Sequence, residues 1–248
     1  ATVNQSPILS SVTSQSICAG DNSTAISFSS SISGSTISWN NLNATIGLAS
    51  SGNGNIASFT TINNTSSIAS ATISATASVN GCTSPQITFN INVNPKPVIP
   101  SQPSTICSGA IFNISPINNG SVVVPSGTTY TWTVIDNPNI SGETSNISAT
   151  SSISQTLTNN TNSQTTVSYT ITPTSGSSGA CIGSPFNAII TVNPKPVIPN
   201  QASTICSGTN FNITPVNNGA VIVPSGTTYT WSVLDNTSIS GEANNSIH

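Results

Sequence analysis

The sequence predicts an all-β fold made of tandem β-sandwich repeats. Three observations predict it. First, the apolar residues are mainly Ile and Val, backed by 35 Thr, with five Leu and no Met. These β-branched side chains are stiff at χ1 and suit a pleated strand better than a helix. Second, 17 Gly and 16 Pro punctuate the whole chain. Third, long blocks of sequence return in one register. Disorder is not expected, although Ser, Thr and Asn make up 114 of 248 residues. Disordered chains combine low hydrophobicity with high net charge, whereas here the mean hydropathy is +0.08 and the net charge only -3.

The repeat sets the domain organisation. Asn94-Pro95-Lys96-Pro97-Val98-Ile99-Pro100 returns as Asn193-Pro194-Lys195-Pro196-Val197-Ile198-Pro199, an offset of 99. Ser104 to Gly109 returns as Ser203 to Gly208, and Pro125 to Trp132 as Pro224 to Trp231, in the same register. Chance does not hold one register through so many rare residues, so the copies are a tandem duplication. A more distant copy precedes them. Ile17-Cys18-Ala19-Gly20 matches Ile106-Cys107-Ser108-Gly109, Thr36-Ile37-Ser38-Trp39 matches Thr129 to Trp132, and Gly81-Cys82 matches Ala180-Cys181. Three repeats follow: residues 1–93, residues 94–192, and an incomplete third over 193–248. The third has its Cys and Trp but not the second half, so its inner face is expected to be poorly covered. With no start Met and no signal peptide, the sequence is expected to be a piece of a longer repeat protein.

Within the middle copy, strands follow from alternation. Phe112 and Ile114 fall on one face, as do Tyr130, Trp132 and Val134 with Thr opposite. Val167 to Ile171 and Ile189 to Val192 alternate likewise, with the period of two of half-buried strands. Turn-like clusters separate them, at Asn118-Asn119-Gly120, Pro125-Ser126-Gly127 and residues 175–179. Several short strands per 90–100 residues around one central Trp fit an immunoglobulin-like sandwich. The Asn-Pro-Lys-Pro linkers are expected to be extended and stiff, since each Pro fixes φ and disfavours helix before it.

Composition excludes whole classes of function. Charged residues are 3% of the chain, and the single His is the last residue. General acid–base catalysis has few residues to use, and a nucleic-acid surface needs Lys and Arg that are absent. No 18-residue apolar run exists, so no membrane span is expected. No enzyme, cofactor or metal site is predicted.

The Ile-Cys-x-Gly near each repeat start, the Tyr-Thr-Trp in the middle, and the Gly-Cys or Ala-Cys before a final strand ending in Val-Asn-Pro resemble PKD-like or immunoglobulin-like repeats of very large Bacteroidota surface proteins. The Asn-Pro-Lys-Pro-Val-Ile-Pro form looks most like repeats of gliding-motility adhesins of the SprB type. The resemblance covers the whole chain and rests on scaffold residues. It implies export by the type IX system, attachment at the cell surface, and a part in gliding motility and filament building.

Five cysteines occur: Cys18, Cys82, Cys107, Cys181 and Cys206. Two per complete copy plus one in the half copy account for the odd number, and paired cysteines point to an oxidising, extracellular setting. The preferred pairing is within each copy, Cys18–Cys82 and Cys107–Cys181. In an immunoglobulin topology, however, the early turn and the last hairpin lie at opposite ends of the sandwich. Cys18–Cys181, between consecutive copies, is therefore the alternative. Zinc is disfavoured by the lack of a close Cys-x-x-Cys and of an internal His.

Trp39, Trp132 and Trp231 are read as core residues rather than sugar platforms, because each sits on an alternating strand. Asp136 and Glu143 recur as Asp235 and Glu242. Such oxygens would suit Ca2+, and turn capping is the preferred reading. Lys96 and Lys195 are read as solvated linker charges rather than isopeptide donors. Asn-x-Ser/Thr triplets such as Asn113-Ile114-Ser115 and Asn212-Ile213-Thr214 are expected by chance at this composition. The function predicted is a structural stalk of a secreted cell-surface adhesin, its partners being neighbouring repeats of the same long chain. The alternative is a carbohydrate- or surface-binding array, with the loop from Val122 to Thr128 contacting surface glycans or other surface proteins.

Overall fold

A computed structural model describes residues 3–176 and 179–245. Ser177 and Ser178, part of an expected turn, and His248 lie outside the described residues. The chain is all-β: among the described residues the only helical element is a single 3-10 turn, Ala44–Ile46.

The first sheet comprises β1 (Gln15–Cys18), β2 (Thr36–Asn41), β3 (Ser51–Asn53), β4 (Ala69–Val79), β5 (Cys82–Thr83) and β6 (Ile87–Asn94). Its order is β1-β6-β4-β2-β3, with β5 on β4, and β1 runs parallel to β6. Alternation decides its faces: Ala71, Ile73, Ala75 and Ala77 of β4 point inward beside Phe89, Ile91 and Val93 of β6. The opposing layer is made by single bridges, Leu9 to Ser30, Asn22 to Thr60 and Ile26 to Ile56, rather than by long strands. Its side chains Leu9, Ile26, Ile46, Leu48 and Ile56 close the core over Trp39. Gly52 is required there, because a Cβ at that position would fall on the Trp39 indole.

The middle part is a full two-layer sandwich. Its strands are β7 (Gln102–Cys107), β8 (Ala110–Ile114), β9 (Thr129–Val134), β10 (Ile140–Ser141), β11 (Asn146–Thr150), β12 (Ile153–Asn159), β13 (Thr165–Thr174) and β14 (Phe186–Asn193). One sheet runs β11-β9-β13-β14-β7 and the other β10-β12-β8. The first strand again lies parallel to the last, while the remaining pairs are antiparallel. This is an immunoglobulin-like arrangement. Phe112 and Tyr169 meet across the layers with ring centroids 5.2 Å apart. Ile153, Leu157, Ile171 and Ile190 are fully buried around them.

Beyond Asn193 the described chain forms no named strand. Val197 pairs with Ile222 and Trp231 with Asn245 as isolated bridges. Phe211, 62% exposed, and Trp231, 55% exposed, stand at the 99 offset from Phe112 and Trp132, which are 1% and 6% exposed. Trp231 therefore departs from the core placement read from the sequence. In the middle sandwich Phe112 packs on Tyr169 of β13 across the layers, and β8 and β9 are paired in their sheets with β12 and β13. Residues 193–245 contain no counterpart of β12 and β13.

Candidate functional site

The feature with the most built-in chemistry is the junction between the first two sandwiches. Each half follows from strand register. Cys18 ends β1 opposite Asn94, the last residue of β6. Ala19 N–H donates to the Asn94 carbonyl at 2.9 Å and Gly20 N–H to that of Thr61 at 2.8 Å. Cys18 is thereby fixed at the end of the sandwich from which the linker departs.

The other half is the loop joining β13 to β14. Cys181 is 1% exposed. Its N–H donates to Ser175 Oγ at 2.8 Å, and its carbonyl accepts from Ser175 N–H at 2.9 Å. Thr174 pairs with Ile182, and Gly183 N–H donates to the Pro173 carbonyl at 2.8 Å. Residues 173–175 and 181–183 of the loop are thus held against each other. It then sits against the first sandwich's end: a Cβ on Gly179, whose φ is +91°, would strike the Asn94 side-chain amide. A Cβ on Gly183 would crowd the Pro97 carbonyl oxygen at 2.5 Å.

A disulfide joins Cys18 to Cys181, across 163 residues of chain, with Cα atoms 5.6 Å apart. Cys82, Cys107 and Cys206 are free. The within-copy pairs preferred from the sequence, Cys18–Cys82 and Cys107–Cys181, do not form. The reason is the parallel register of first and last strands. Cys18 lies beside the last residue of the eight-residue β6, while Cys82 precedes its first residue. A strand of that length separates its ends by roughly 23 Å, and a disulfide needs Cα atoms within about 7 Å. Cys107, opposite Asn193 at the end of β14, is as far from the loop that carries Cys181.

The linker is held as well. Val98 and Val123 exchange two backbone hydrogen bonds of 2.9 Å, and Lys96 Nζ lies 3.3 Å from Asp21 Oδ1 of the first sandwich. Both charges are partly exposed, so the ion pair contributes at most about 1 kcal/mol. Val123 and Thr128 belong to the loop considered for glycan contact. The first is committed to the linker, and the second is buried, with Oγ1 donating to the Pro125 carbonyl at 2.6 Å.

The remaining candidates resolve individually. Trp39 and Trp132 are each 6% exposed, and Trp132 Nε1 donates to the Thr144 carbonyl at 2.8 Å. Glu143 Oε1 accepts from Asn137 N–H at 3.1 Å, and Asn137 Oδ1 from Asn139 N–H at 3.1 Å. Glu242 repeats the first contact with Asn236. These side chains cap turns, and among the described residues no group of three or more His, Cys, Asp or Glu gathers to hold a metal. A surface recess of about 150 Å³ lies among Thr131, Trp132, Asn146, Ile147 and Thr172, and a larger open one of about 380 Å³ runs between Ser11 to Gln15 and Thr24 to Ser27. The first is below the roughly 300 Å³ from which small-molecule sites begin, and the second is a shallow surface groove of that size. Burial, with the nearby Glu143 carboxylate second, pushes the Tyr169 phenol far above its ordinary range, and burial raises Tyr130.

One structural pair escapes the sequence reading. Asn63 and Asn159 are buried, and each donates Nδ2 to two carbonyls: Ser67 and Val93 in one case, Ser163 and Val192 in the other. Each Oδ1 accepts from the N–H of the Thr two residues on. The signal is a shared Asn-Asn-Thr-x-Ser, at 63–67 and 159–163.

With this geometry in place, comparison with known proteins adds a family likeness. Residues 104–196 match the PKD-like domain family, a span that includes β9, β13 and β14. No curated protein matches the chain. Among solved structures, the chain is similar to mouse cadherin-23 EC22-24, at 11% identity and a TM-score of 0.33, covering 77% of this chain and 64% of that one. It is also similar to the titin I-band fragment I67-I69, at 9% identity and a TM-score of 0.38, covering 76% and 65%. A third likeness is to a SusE-like, surface-located polysaccharide-binding protein of Bacteroides thetaiotaomicron, at 12% identity and a TM-score of 0.28, covering 77% and 35%. The matched chain thus spans about two thirds of the cadherin and titin fragments and about a third of the SusE-like protein. All three are distant, and the family likeness that stands is the PKD-like match over residues 104–196.

Proposed function

We propose that the chain is a run of stalk repeats, with units at 1–93, 94–192 and 193–248, in an extracellular adhesin at the cell surface. Its work is mechanical: stiff sandwiches in series hold a distal binding part away from the cell, as arrays of nearest-neighbour repeats do. Attachment to surfaces and gliding motility are the roles that the SprB-type resemblance suggests. The observation that carries the reading is the junction. A flexible linker would let neighbouring units sample many orientations. Here the Cys18–Cys181 bond, the Val98–Val123 pair and the Gly179–Asn94 contact hold two units together end to end. The surface carries few charges, which limits ionic sticking. No catalytic role is proposed.

Small-angle scattering of the oxidised chain tests this. One compact globule of this length has a radius of gyration of about 18 Å, and end-to-end units give more than about 25 Å. A value near 18 Å overturns the stalk. Specific binding of a defined glycan, lost on changing the Val122–Thr128 loop, would replace it by the array of binding modules.

A further inference from the structure

Three cysteines are free, and two of them occupy positions that the first junction shows in bonded form. Cys107 ends β7 opposite Asn193 as Cys18 ends β1 opposite Asn94. Ser108 N–H donates to the Asn193 carbonyl at 2.8 Å, matching the 2.9 Å bond from Ala19 to Asn94. The following linker docks alike: Val197 and Ile222 exchange backbone bonds of 2.9 Å, as Val98 and Val123 do. Cys107 is exposed, so the half-joint that holds Cys18 is rebuilt at the far end of the middle sandwich with its sulfur open.

Cys82 is the other half. It follows the tight Asn80-Gly81 turn, whose residues both have positive φ, and it occupies the last-hairpin position that Cys181 holds in the middle copy. Val3-Asn4-x-x-Pro7 matches Val93-Asn94-x-x-Pro97 and Val192-Asn193-x-x-Pro196. Asn4 is thus the counterpart of the asparagine beside which Cys18 sits. In the structure Cys82 Sγ lies 3.6 Å from the Asn4 carbonyl, and Asn4 Nδ2 donates to the Asn80 carbonyl at 3.2 Å. Cys82 therefore waits where a first-strand cysteine held next to Asn4 would arrive.

We propose that every junction of the array is closed by one disulfide, between the cysteine ending the first strand of one repeat and the last-hairpin cysteine of the repeat after it. Cys82 then bonds a cysteine of a repeat docked before it, and Cys107 a cysteine of a complete repeat docked after it. Each closure breaks two S–H bonds and forms one S–S bond. The two electrons and two protons reduce an external disulfide, such as oxidised glutathione or a disulfide-carrying oxidoreductase, to two thiols. The proposal rests on the stalk reading for its purpose, while its test reads bonds rather than shape. Bonds without extension would sink the stalk alone, and extension without bonds would sink this proposal alone.

The test is a fusion in which residues 94–193 precede Gln5, so that Val192-Asn193 take the place of Val3-Asn4. The protein is oxidised in a glutathione buffer and its proteolytic peptides are mapped without reduction. Two linked pairs are expected: Cys18–Cys181 as before, and the added copy's Cys107 with Cys82. In the same fusion, Cys82→Ser should leave the added Cys107 fully alkylated with Cys18–Cys181 intact. Cys82 and the added Cys107 both alkylated, in molecules whose Cys18–Cys181 bond has formed, would overturn the proposal. So would a bond from that Cys107 to its own copy's Cys181. A second fusion guards against misfolding of the added copy: residues 150–193 appended after His248 complete the third copy. Cys107 should then bond the appended Cys181, and a free Cys107 there counts equally against the proposal.

Discussion

Replacing Asn159 by Ala should unfold the middle sandwich selectively. Asn159 is 2% exposed. Its Nδ2 donates at 2.7 Å to Ser163 O and at 2.9 Å to Val192 O, and its Oδ1 accepts from both N–H and Oγ1 of Thr161. The side chain thus pins the β12–β13 corner to β14, the strand that runs out to the linker. Losing it leaves the buried Val192 carbonyl without this donor, which costs about 1–3 kcal/mol, and removes further bonds of about 1 kcal/mol each. The total expected is roughly 2–4 kcal/mol. In a domain of this size that lowers the melting temperature by about 10–25 °C. Hydrogen exchange read by mass spectrometry localises the loss: segment 165–174 should exchange sooner, and segment 69–79 should be unchanged. A melting shift under about 4 °C would refute the reasoning, as would equal loosening of both segments. Asn159→Asp should fare no better, because it keeps the acceptor and turns a carboxylate oxygen toward the Val192 carbonyl.

Two further outcomes are expected. Gly52→Ala should destabilise the first sandwich by about 1–3 kcal/mol through overpacking against Trp39, seen as a red-shifted Trp39 emission at lower denaturant than in the parent chain. Alkaline pH should unfold the middle sandwich first. Tyr169 and Tyr130 have phenols raised by burial, so their stabilisation is complete below the unfolded phenol's pKa of about 10 and is lost as pH climbs above it. Phenolate absorbance from Tyr130 and Tyr169 at 295 nm should appear together with loss of the sheet signal, and a titration of these two near pH 10 with the fold intact would contradict this.

Much of the fold was legible because β-sandwich physics is written locally. The period-two runs through Tyr130 and Trp132 and through Val167 to Ile171 mark buried faces that the structure shows as buried. The 99-residue register carried the copy relationship, and a Trp on an alternating strand was enough to place Trp39 and Trp132. The bond pattern was harder to read. The within-copy pair Cys18 with Cys82 was preferred, with Cys18–Cys181 as the alternative that the opposite ends of an immunoglobulin topology allow; the deciding fact was the parallel pairing of first and last strands. That is a long-range property with no local signature. Asn63 and Asn159 were hidden for a related reason. Their motif recurs at a spacing of 96 rather than 99, and in a chain with 32 Asn two buried ones do not stand out. Trp231 shows the limit of local reading: its sequence has the right alternation, but it forms only an isolated bridge, and burial depends on strands across the core.

The parallel first strand also explains why a junction disulfide fits this architecture. Because β1 and β7 run beside the last strand of their own sandwich, each delivers its terminal cysteine to the end where the next unit begins. An antiparallel first strand would bring that residue to the opposite end, where it would meet its own last hairpin. One choice of strand direction therefore converts what would be a bond inside a unit into a bond between units. The stabilisation changes in kind. A bond inside a unit would chiefly restrict that unit's unfolded chain. The bond observed spans 163 residues and two separate cores, so it constrains the relative orientation of folded units, the quantity on which the reach of an array depends. Reduction should accordingly leave each core's protection from hydrogen exchange in place while freeing the angle between them.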